Sequence, residues 1–211
     1  MKLHYHPLSS NARRAVMTAK LLGSPVELVL VDLPRGEQRT PDYLGLNPNG
    51  RVPTLVDGDF VLWESYAIMT YLADKAPGNV LLPTEARARA DVQRWMFWAA
   101  AHFTPAVATL NFENMLKKMF GMGDPDPAFV ARAEKDLRTF GAVLDAHLAK
   151  RTWISGDGLT LADIAIACPL MSTVPARLPV TDFANLQAWF QRFSALDAWK
   201  ETAPPAVMPS R

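Results

Sequence analysis

The chain has 211 residues, of which 49% are hydrophobic, so it is long enough and apolar enough to fold around a core. Its 22 Lys and Arg residues against 21 Asp and Glu exclude the strongly basic surface of a nucleic-acid-binding protein. No apolar run reaches the roughly 18 residues of a membrane span, and the N-terminus lacks the pattern of a secretory signal. We therefore expect a cytoplasmic protein with no nucleic-acid or membrane partner.

The first 76 residues alternate between short strand-like and helix-like segments. The apolar, β-branched run Val26–Val31 predicts a strand covered on both faces within a βαβ unit. The turn Asp57-Gly58-Asp59 between two apolar runs predicts a hairpin. Because a βαβ unit is parallel and a tight hairpin is antiparallel, a small mixed sheet with three helices is expected. The predicted order is β-α-β-α-β-β-α, with segments at residues 2–5, 12–22, 26–31, 41–46, 54–56, 60–62 and 64–76.

Everything after about residue 85 has the apolar spacing of long helices. The sequence Thr160-Leu161-Ala162-Asp163 predicts a helix start with a capping box, in which Asp takes the place of the usual Glu or Gln. The single cysteine, Cys168, lies in the apolar run that follows and is predicted to be buried. The tail from Ala203 onward is predicted to be irregular. The other predicted helices lie within residues 85–118, 129–150 and 182–193, and the predicted organisation is a domain at 1–76, a linker at 77–84 and a helical domain at 85–211.

The usual signatures of nucleophilic and metal catalysis do not occur in this sequence. It has four His, no Gly-x-Ser-x-Gly elbow, no His-Glu-x-x-His motif and no glycine-rich phosphate loop. A hydrolase is therefore disfavoured, and no metal site is predicted. Polar residues gather instead at strand ends and helix N-termini of the first domain, in Ser9–Asn11, Arg51–Pro53 and Glu64–Ser65. Since free helix N–H groups favour anions, these three segments predict one site for an acidic small molecule.

Three stretches of the first domain together resemble the cytosolic glutathione transferases. They are Tyr5–Arg14 (YHPLSSNARR), Asn47–Leu55 (NPNGRVPTL) and Leu62–Leu72 (LWESYAIMTYL). The capping box at Thr160–Asp163 matches one in the helical domain of that family, and the likeness covers nearly the whole chain. The resemblance is to serine-type members of the delta, theta or phi kind. It implies an α/β thioredoxin-like domain followed by an all-α domain, in a homodimer.

The resemblance also implies that glutathione is the co-substrate and that no metal takes part. Pro53 matches a cis-proline whose preceding residue, Val52, offers its backbone N–H and C=O to the cysteinyl part of glutathione. Glu64 is implied to bind the γ-glutamyl ammonium, and Ser65 with its helix N-terminus the neighbouring carboxylate. The other implied contacts with glutathione are Ser9, Asn11, Gln38 and Arg51.

Ser9 is the catalytic residue that the resemblance implies, with Ser10 as the alternative. A free thiol of pKa near 8.5 is only a few per cent ionised at pH 7. A hydroxyl donor together with a helix N-terminus stabilises the thiolate, so the serine acts as a donor to sulfur and not as a nucleophile. Two positions depart from the family pattern: Tyr66 stands where many relatives have Arg, and Gly50 where some have a His that binds the glycyl end.

The second substrate implied by the resemblance is a small hydrophobic electrophile in a pocket between the domains. The predicted contacts are Leu8, Phe103, Val107 and Asn111. Three other functions remain open: a glutathione-dependent isomerase of the maleylacetoacetate type, a dehalogenase, and a binding or regulatory protein without activity. The sequence does not identify the electrophile, because apolar pockets discriminate weakly among shapes.

Overall fold

A computed structural model describes residues 1–204 of the chain. They divide into two compact units, one formed by residues 1–82 together with 195–204, and the other by residues 83–194. The last described segment therefore groups with the first unit. Most of the tail predicted to be irregular, residues 205–211, lies outside the described residues. No helix within residues 1–204 combines the length and the apolar character that crossing a membrane requires.

The first unit contains a four-stranded mixed sheet with the order β2-β1-β3-β4. Strand β1 (Lys2–Tyr5) is parallel to β2 (Glu27–Leu30) and antiparallel to β3 (Thr54–Asp57), and β3 forms the predicted hairpin with β4 (Phe60–Trp63). Strand β2 is therefore an edge strand, and Leu28 is 45% exposed. The prediction that this strand is covered on both faces is wrong, because an apolar run does not distinguish an edge strand from a central one.

Three helices accompany the sheet: α1 (Ser10–Leu21), α2 (Pro41–Leu46) and α3 (Ser65–Lys75). Helices α1 and α3 share an apolar core with β1 and β3, and α2 contributes to a second cluster near the end of β2. The observed order of strands and helices confirms the predicted β-α-β-α-β-β-α pattern. The first core contains Leu3, Ala15, Ala19, Leu55, Ile68 and Leu72, and the second contains Ala12, Val31, Tyr43 and Val52.

The second unit is helical. Its first helical stretch comprises α4 (Ala86–Trp98), α5 (Thr104–Asn111) and α6 (Lys117–Met119), joined by two π-helical segments, Ala99–Phe103 and Phe112–Leu116. One or two helices were possible within residues 85–118, and the structure has a single helical stretch that widens locally at the two π-helical segments. It is followed by α7 (Pro127–Leu148), α8 (Leu161–Ala167), a 3-10 turn (Cys168–Ser172) and α9 (Ala184–Ser194), while α10 (Asp197–Glu201) belongs to the first unit.

Helix α8 begins at the predicted capping box. The fully buried Asp163 accepts the backbone N–H and the hydroxyl of Thr160 at 3.0 and 3.1 Å on one oxygen. Its other oxygen accepts the N–H of Ile154 at 3.0 Å and the indole N–H of Trp189 at 2.8 Å. Asp163 therefore fastens the start of α8 to the preceding loop and to α9. Cys168, immediately after α8, is buried as predicted.

Candidate functional site

Ser9 is the N-cap of α1, at the end of the loop that follows β1. Its Oγ accepts the backbone N–H of Ala12 at 3.2 Å, and its own N–H donates to the carbonyl of His6 at 3.0 Å. The capping bond uses a lone pair of Oγ, so the hydroxyl hydrogen remains available as a donor. Ser9 thus presents an O–H group at the positive end of the helix dipole. Ser10 lies inside the helix, as its first residue, and has no such capping role.

A buried polar network fixes the turn that enters β3. The Val52–Pro53 bond is cis, which confirms the expectation for this proline. The carbonyl of Arg51 accepts two hydrogen bonds of 2.8 Å, from the hydroxyl of Tyr43 and from Nδ2 of Asn47. Both groups also bond to Oγ1 of Thr54, at 3.0 and 3.1 Å. Burial raises the pKa of Tyr43, which keeps its hydroxyl protonated as a donor.

Glu64 joins β4 directly to α3 in a rare backbone conformation. Its φ of 73° lies in the left-handed region, which residues other than glycine seldom occupy. Such conformations persist only where the surrounding structure enforces them, and they cluster at ligand sites. The Glu64 residue is exposed, while Ser65, the first residue of α3, is 4% exposed. A carboxylate beside a hydroxyl and a helix N-terminus is suited to a zwitterion with neighbouring ammonium and carboxylate groups.

Gln38 occupies a short 3-10 turn, Glu37–Arg39, that precedes α2. Its Oε1 is buried and has no hydrogen-bond partner within the described part of the chain. The Gln38 turn lies against the loop that contains Gly50, since a Cβ on Gly50 would be 3.1 Å from the Gln38 carbonyl. The exposed Arg51 follows Gly50. An unsatisfied buried amide costs about 1–3 kcal/mol, so a polar ligand that reaches Gln38 would gain a partner already desolvated.

The residues predicted to contact an electrophile differ in their surroundings. Leu8 is half-buried in the loop before Ser9. Phe103 and Val107 are buried within the helical unit, where Phe103 stacks on Trp98. Oδ1 of Asn111 accepts the hydroxyl of Ser172 at 2.6 Å. These four assignments stay predictions. Among residues 1–204, no group of three or more His, Cys, Asp or Glu side chains is arranged to hold a metal ion.

Sequence reasoning missed two buried arginines in α1. Arg14 is fully buried, with its guanidinium carbon 4.7 Å from the ring centre of Tyr66. Arg13 is almost fully buried and lies 3.5 Å from the ring centre of Trp199 in α10. Charged residues on a helix are normally exposed. Nothing in the local sequence therefore indicated their burial, which depends on contacts with residues far along the chain.

Family models account for both units of the chain. Residues 8–75 match the N-terminal domain of glutathione S-transferases, and residues 127–192 match the C-terminal domain. The chain belongs to the glutathione S-transferase family. A full-length relative, Glutathione S-transferase 3 of Zea mays, is 37% identical over 99% of this chain and 96% of its own.

Solved structures of the family share the fold. Glutathione transferase F7 of Populus trichocarpa has a TM-score of 0.88 at 28% identity and covers 95% of this chain and 96% of its own. A glutathione S-transferase III in its apo form has a TM-score of 0.86 at 36% identity, with 99% of both chains covered. A glutathione S-transferase I bound to lactoylglutathione has a TM-score of 0.85 at 28% identity, over 96% of this chain and 97% of its own. The predicted fold class is therefore confirmed.

Proposed function

We propose that this chain is a glutathione transferase that binds glutathione on its first unit and stabilises the thiolate for attack on a hydrophobic electrophile. Membership of the family and full-length similarity to a plant enzyme of that name support the assignment. The observation that carries the proposal is the geometry of Ser9. Its Oγ is oriented by the bond from Ala12, and its hydrogen is left to donate.

In the proposed reaction, the thiol of glutathione releases its proton to solvent and the sulfur anion accepts the O–H of Ser9. A charge-assisted hydrogen bond contributes about 1.5–3 kcal/mol, and the N-terminus of α1 about 0.3–1 kcal/mol more. The buried guanidinium of Arg14 lies in the same part of α1 and also favours negative charge there. The sulfur lone pair then forms a C–S bond with the electrophile, whose leaving group departs with the electrons of the broken bond.

The remaining polar residues of the first unit are proposed to hold the tripeptide. Glu64 binds the γ-glutamyl ammonium, and Ser65 with the free N–H groups of α3 binds the adjacent carboxylate. The backbone of Val52, held by the network behind Arg51, pairs with the cysteinyl part. The side chain of Arg51 and Gln38 bind the glycyl end. The Arg51 guanidinium binds its carboxylate, and Gln38 Oε1, a buried acceptor with no protein partner among residues 1–204, accepts the glycyl N–H.

Two further features belong to the proposal: a homodimer, which the family resemblance implies, and a cytoplasmic location, which is the expectation from the sequence. Of the predicted electrophile contacts, the partly exposed Leu8 and Asn111 belong to the proposal. Phe103 and Val107 are buried within the helical unit and offer no exposed surface to a ligand.

Substitutions of Ser9 test the role of its hydroxyl. Ser9→Ala removes the donor and also the N-cap, at about 1 kcal/mol of stability. Ser9→Gly has no side-chain donor but costs only a few tenths of a kcal/mol at an N-cap position, so it separates the two effects. We expect both variants to bind glutathione within about threefold of wild type and to lose about 100- to 1,000-fold in turnover of an aryl halide, as when one preorganised donor is deleted.

Ser10→Ala is the matched control, because it removes a neighbouring hydroxyl that does not cap α1. Its turnover should stay near that of the wild type. Wild-type turnover in both Ser9 variants would remove Ser9 from the reaction, and a loss confined to Ser10→Ala would assign the donor to Ser10. Following glutathione consumption in the same assay separates transfer from isomerisation, which regenerates the tripeptide.

A further inference from the structure

Asn11 is the second residue of α1, at an exposed position in the first turn after the Ser9 cap. Its Oδ1 accepts a short hydrogen bond from Nη1 of Arg14. A guanidinium carries donors only, so the amide oxygen and not the amide nitrogen must face Arg14. The NH₂ group of Asn11 therefore points away from the arginine, and it has no partner within residues 1–204.

Arg14 is itself held in place by α3. Its guanidinium is fully buried and lies against the ring of Tyr66, which is the second residue of α3 and directly follows Ser65. A cation over an aromatic face is attracted by the ring quadrupole, and the attraction is stronger when the cation is buried, as Arg14 is. Tyr66 thus connects the first turn of α3 to the first turn of α1 through Arg14.

We propose that Arg14 and Tyr66 are positioning residues that hold the amide of Asn11 with its N–H donors, not its oxygen, toward an anion bound at the first turn of α1. The inference rests on the proposed function, in which this anion is the glutathione thiolate. A carboxamide rotated by half a turn would direct its oxygen at the sulfur and repel the negative charge. The bond from Arg14 removes that alternative, so Asn11 adds a second donor beside the hydroxyl of Ser9.

This arrangement gives the aromatic ring of Tyr66 a role next to the proposed site. The aromatic ring supplies a flat surface for the Arg14 guanidinium, whereas an Arg side chain would repel it. A second cation–π pair in the same helix offers a matched comparison. Tyr71 lies 5.5 Å from Nζ of Lys75 and bonds to Asp57, with no link to Asn11.

Substitutions of the exposed Asn11 test the inference without disturbing the core. Asn11→Asp keeps an oxygen for Arg14 but replaces the donors with negative charge, and Asn11→Ala removes the amide. The readout is the apparent pKa of the thiol, from the ultraviolet absorbance of bound thiolate and from kcat/KM against pH. We expect this pKa to rise in both variants, more in Asn11→Asp, which should lose at least tenfold in kcat/KM at pH 6.5.

Substitutions of Tyr66 test whether its ring holds Arg14 in the position that orients Asn11. Tyr66→Leu should lower kcat/KM at pH 6.5 by about three- to tenfold, with the larger part in kcat, whereas Tyr66→Phe keeps the ring and should stay within twofold of wild type. Tyr71→Leu, the matched control, should leave the thiol pKa unchanged. In the double variant with Asn11→Ala, Tyr66→Leu should cause no further loss, because its effect passes through Asn11.

The outcomes separate this inference from the proposed function. If wild-type protein does not lower the pKa of bound glutathione, the proposed function fails and this inference with it. If the wild type lowers it and Asn11→Asp does so equally, only the inference is overturned. Additive losses from Tyr66→Leu and Asn11→Ala would also overturn it, since they would show that Tyr66 does not act through Asn11.

Discussion

His6 lies in the loop that leads from β1 to Ser9, and it is only 3% exposed. Its Nδ1 accepts the backbone N–H of Leu8 at 3.3 Å, which requires an unprotonated Nδ1. Burial lowers the pKa of His6, against a smaller opposing effect of Asp32. The neutral imidazole is therefore part of the folded loop, and protonation would replace an acceptor with a donor that faces another donor.

This burial predicts how stability depends on pH. The unfolded chain binds a proton on His6 near the ordinary value of 6.5, whereas the folded chain binds it at lower pH. The free energy of unfolding should therefore fall as the pH drops below about 6.5. His6→Asn keeps an acceptor near Nδ1 and cannot be protonated there. We expect its urea midpoint to fall less than that of the wild type between pH 7.5 and 5.5.

Two details sharpen this measurement. The pKa of His4 is also lowered, mainly by burial. The urea midpoint of His6→Asn should therefore depend less on pH than that of the wild type, but should still fall in acid. The matched control is His102→Asn, which removes an exposed imidazole in the helical unit, and its curve should follow the wild type. A His6→Asn curve parallel to the wild type would show that His6 contributes nothing to the acid loss of stability.

For single residues, the features that could be predicted from the sequence are those that depend on nearby positions in the chain. The cap at Ser9 and the capping-box acid at Asp163 could be predicted because a capping side chain bonds to backbone two or three residues away. The positive φ of Glu64 and the burial of Arg14 could not, because both depend on what other elements impose. The parts of the candidate site that sequence reasoning missed are those held by tertiary contacts.

Among the elements, α10 returns to the first unit and packs on α1. Arg13 stacks on the ring of Trp199 and donates to the Trp199 carbonyl at 2.6 Å and to Oγ1 of Thr202 at 3.3 Å. Lys20, two turns further along α1, forms an exposed ion pair with Glu201. The buried arginine combines apolar contact, cation–π attraction and charge-assisted hydrogen bonds, so it should dominate the docking of α10.

Separate substitutions of Arg13 and Lys20 test whether Arg13 contributes more to the docking of α10. Arg13→Ala should lower the free energy of unfolding by about 2–4 kcal/mol, because it removes the cation–π contact with Trp199 and the charge-assisted hydrogen bond to the Trp199 carbonyl. Lys20→Ala breaks only the solvated pair and should cost less than about 1 kcal/mol. Urea unfolding followed by tryptophan fluorescence measures both. Equal losses in the two variants would contradict a dominant role for Arg13.

Most boundaries of these elements could be predicted from the sequence, because turns and caps delimit them. Helix α2 and the hairpin between β3 and β4 begin and end beside the turn residues that predict their limits. The place of β2 at the sheet edge could not be predicted, since its apolar run is equally suited to a central strand. The docking of α10 on α1 depends on residues 186 positions apart, for which one sequence offers no signal.

For the whole molecule, the proposed homodimer requires that apolar surface exposed on the single chain be covered by a second copy. Phe97 on α4 is 70% exposed, unusually high for a phenylalanine in the middle of a helix. In a twofold dimer the same surface of both copies takes part, so each contact of Phe97 occurs twice and stabilises the dimer twice. Phe97 is therefore a candidate for the interface within the helical unit.

Light scattering after size exclusion should give the wild type about twice the chain mass of 23.3 kDa. Phe97→Glu places two carboxylates in the proposed interface and loses about 1.5–3 kcal/mol of apolar burial per copy, so it should raise the dimer Kd by at least about 100-fold. Val174→Glu, at a loop position that is 85% exposed, is the matched control and should remain dimeric. A Phe97→Glu dimer as tight as the wild type would exclude this face of α4, whereas a monomeric wild type would exclude the dimer itself.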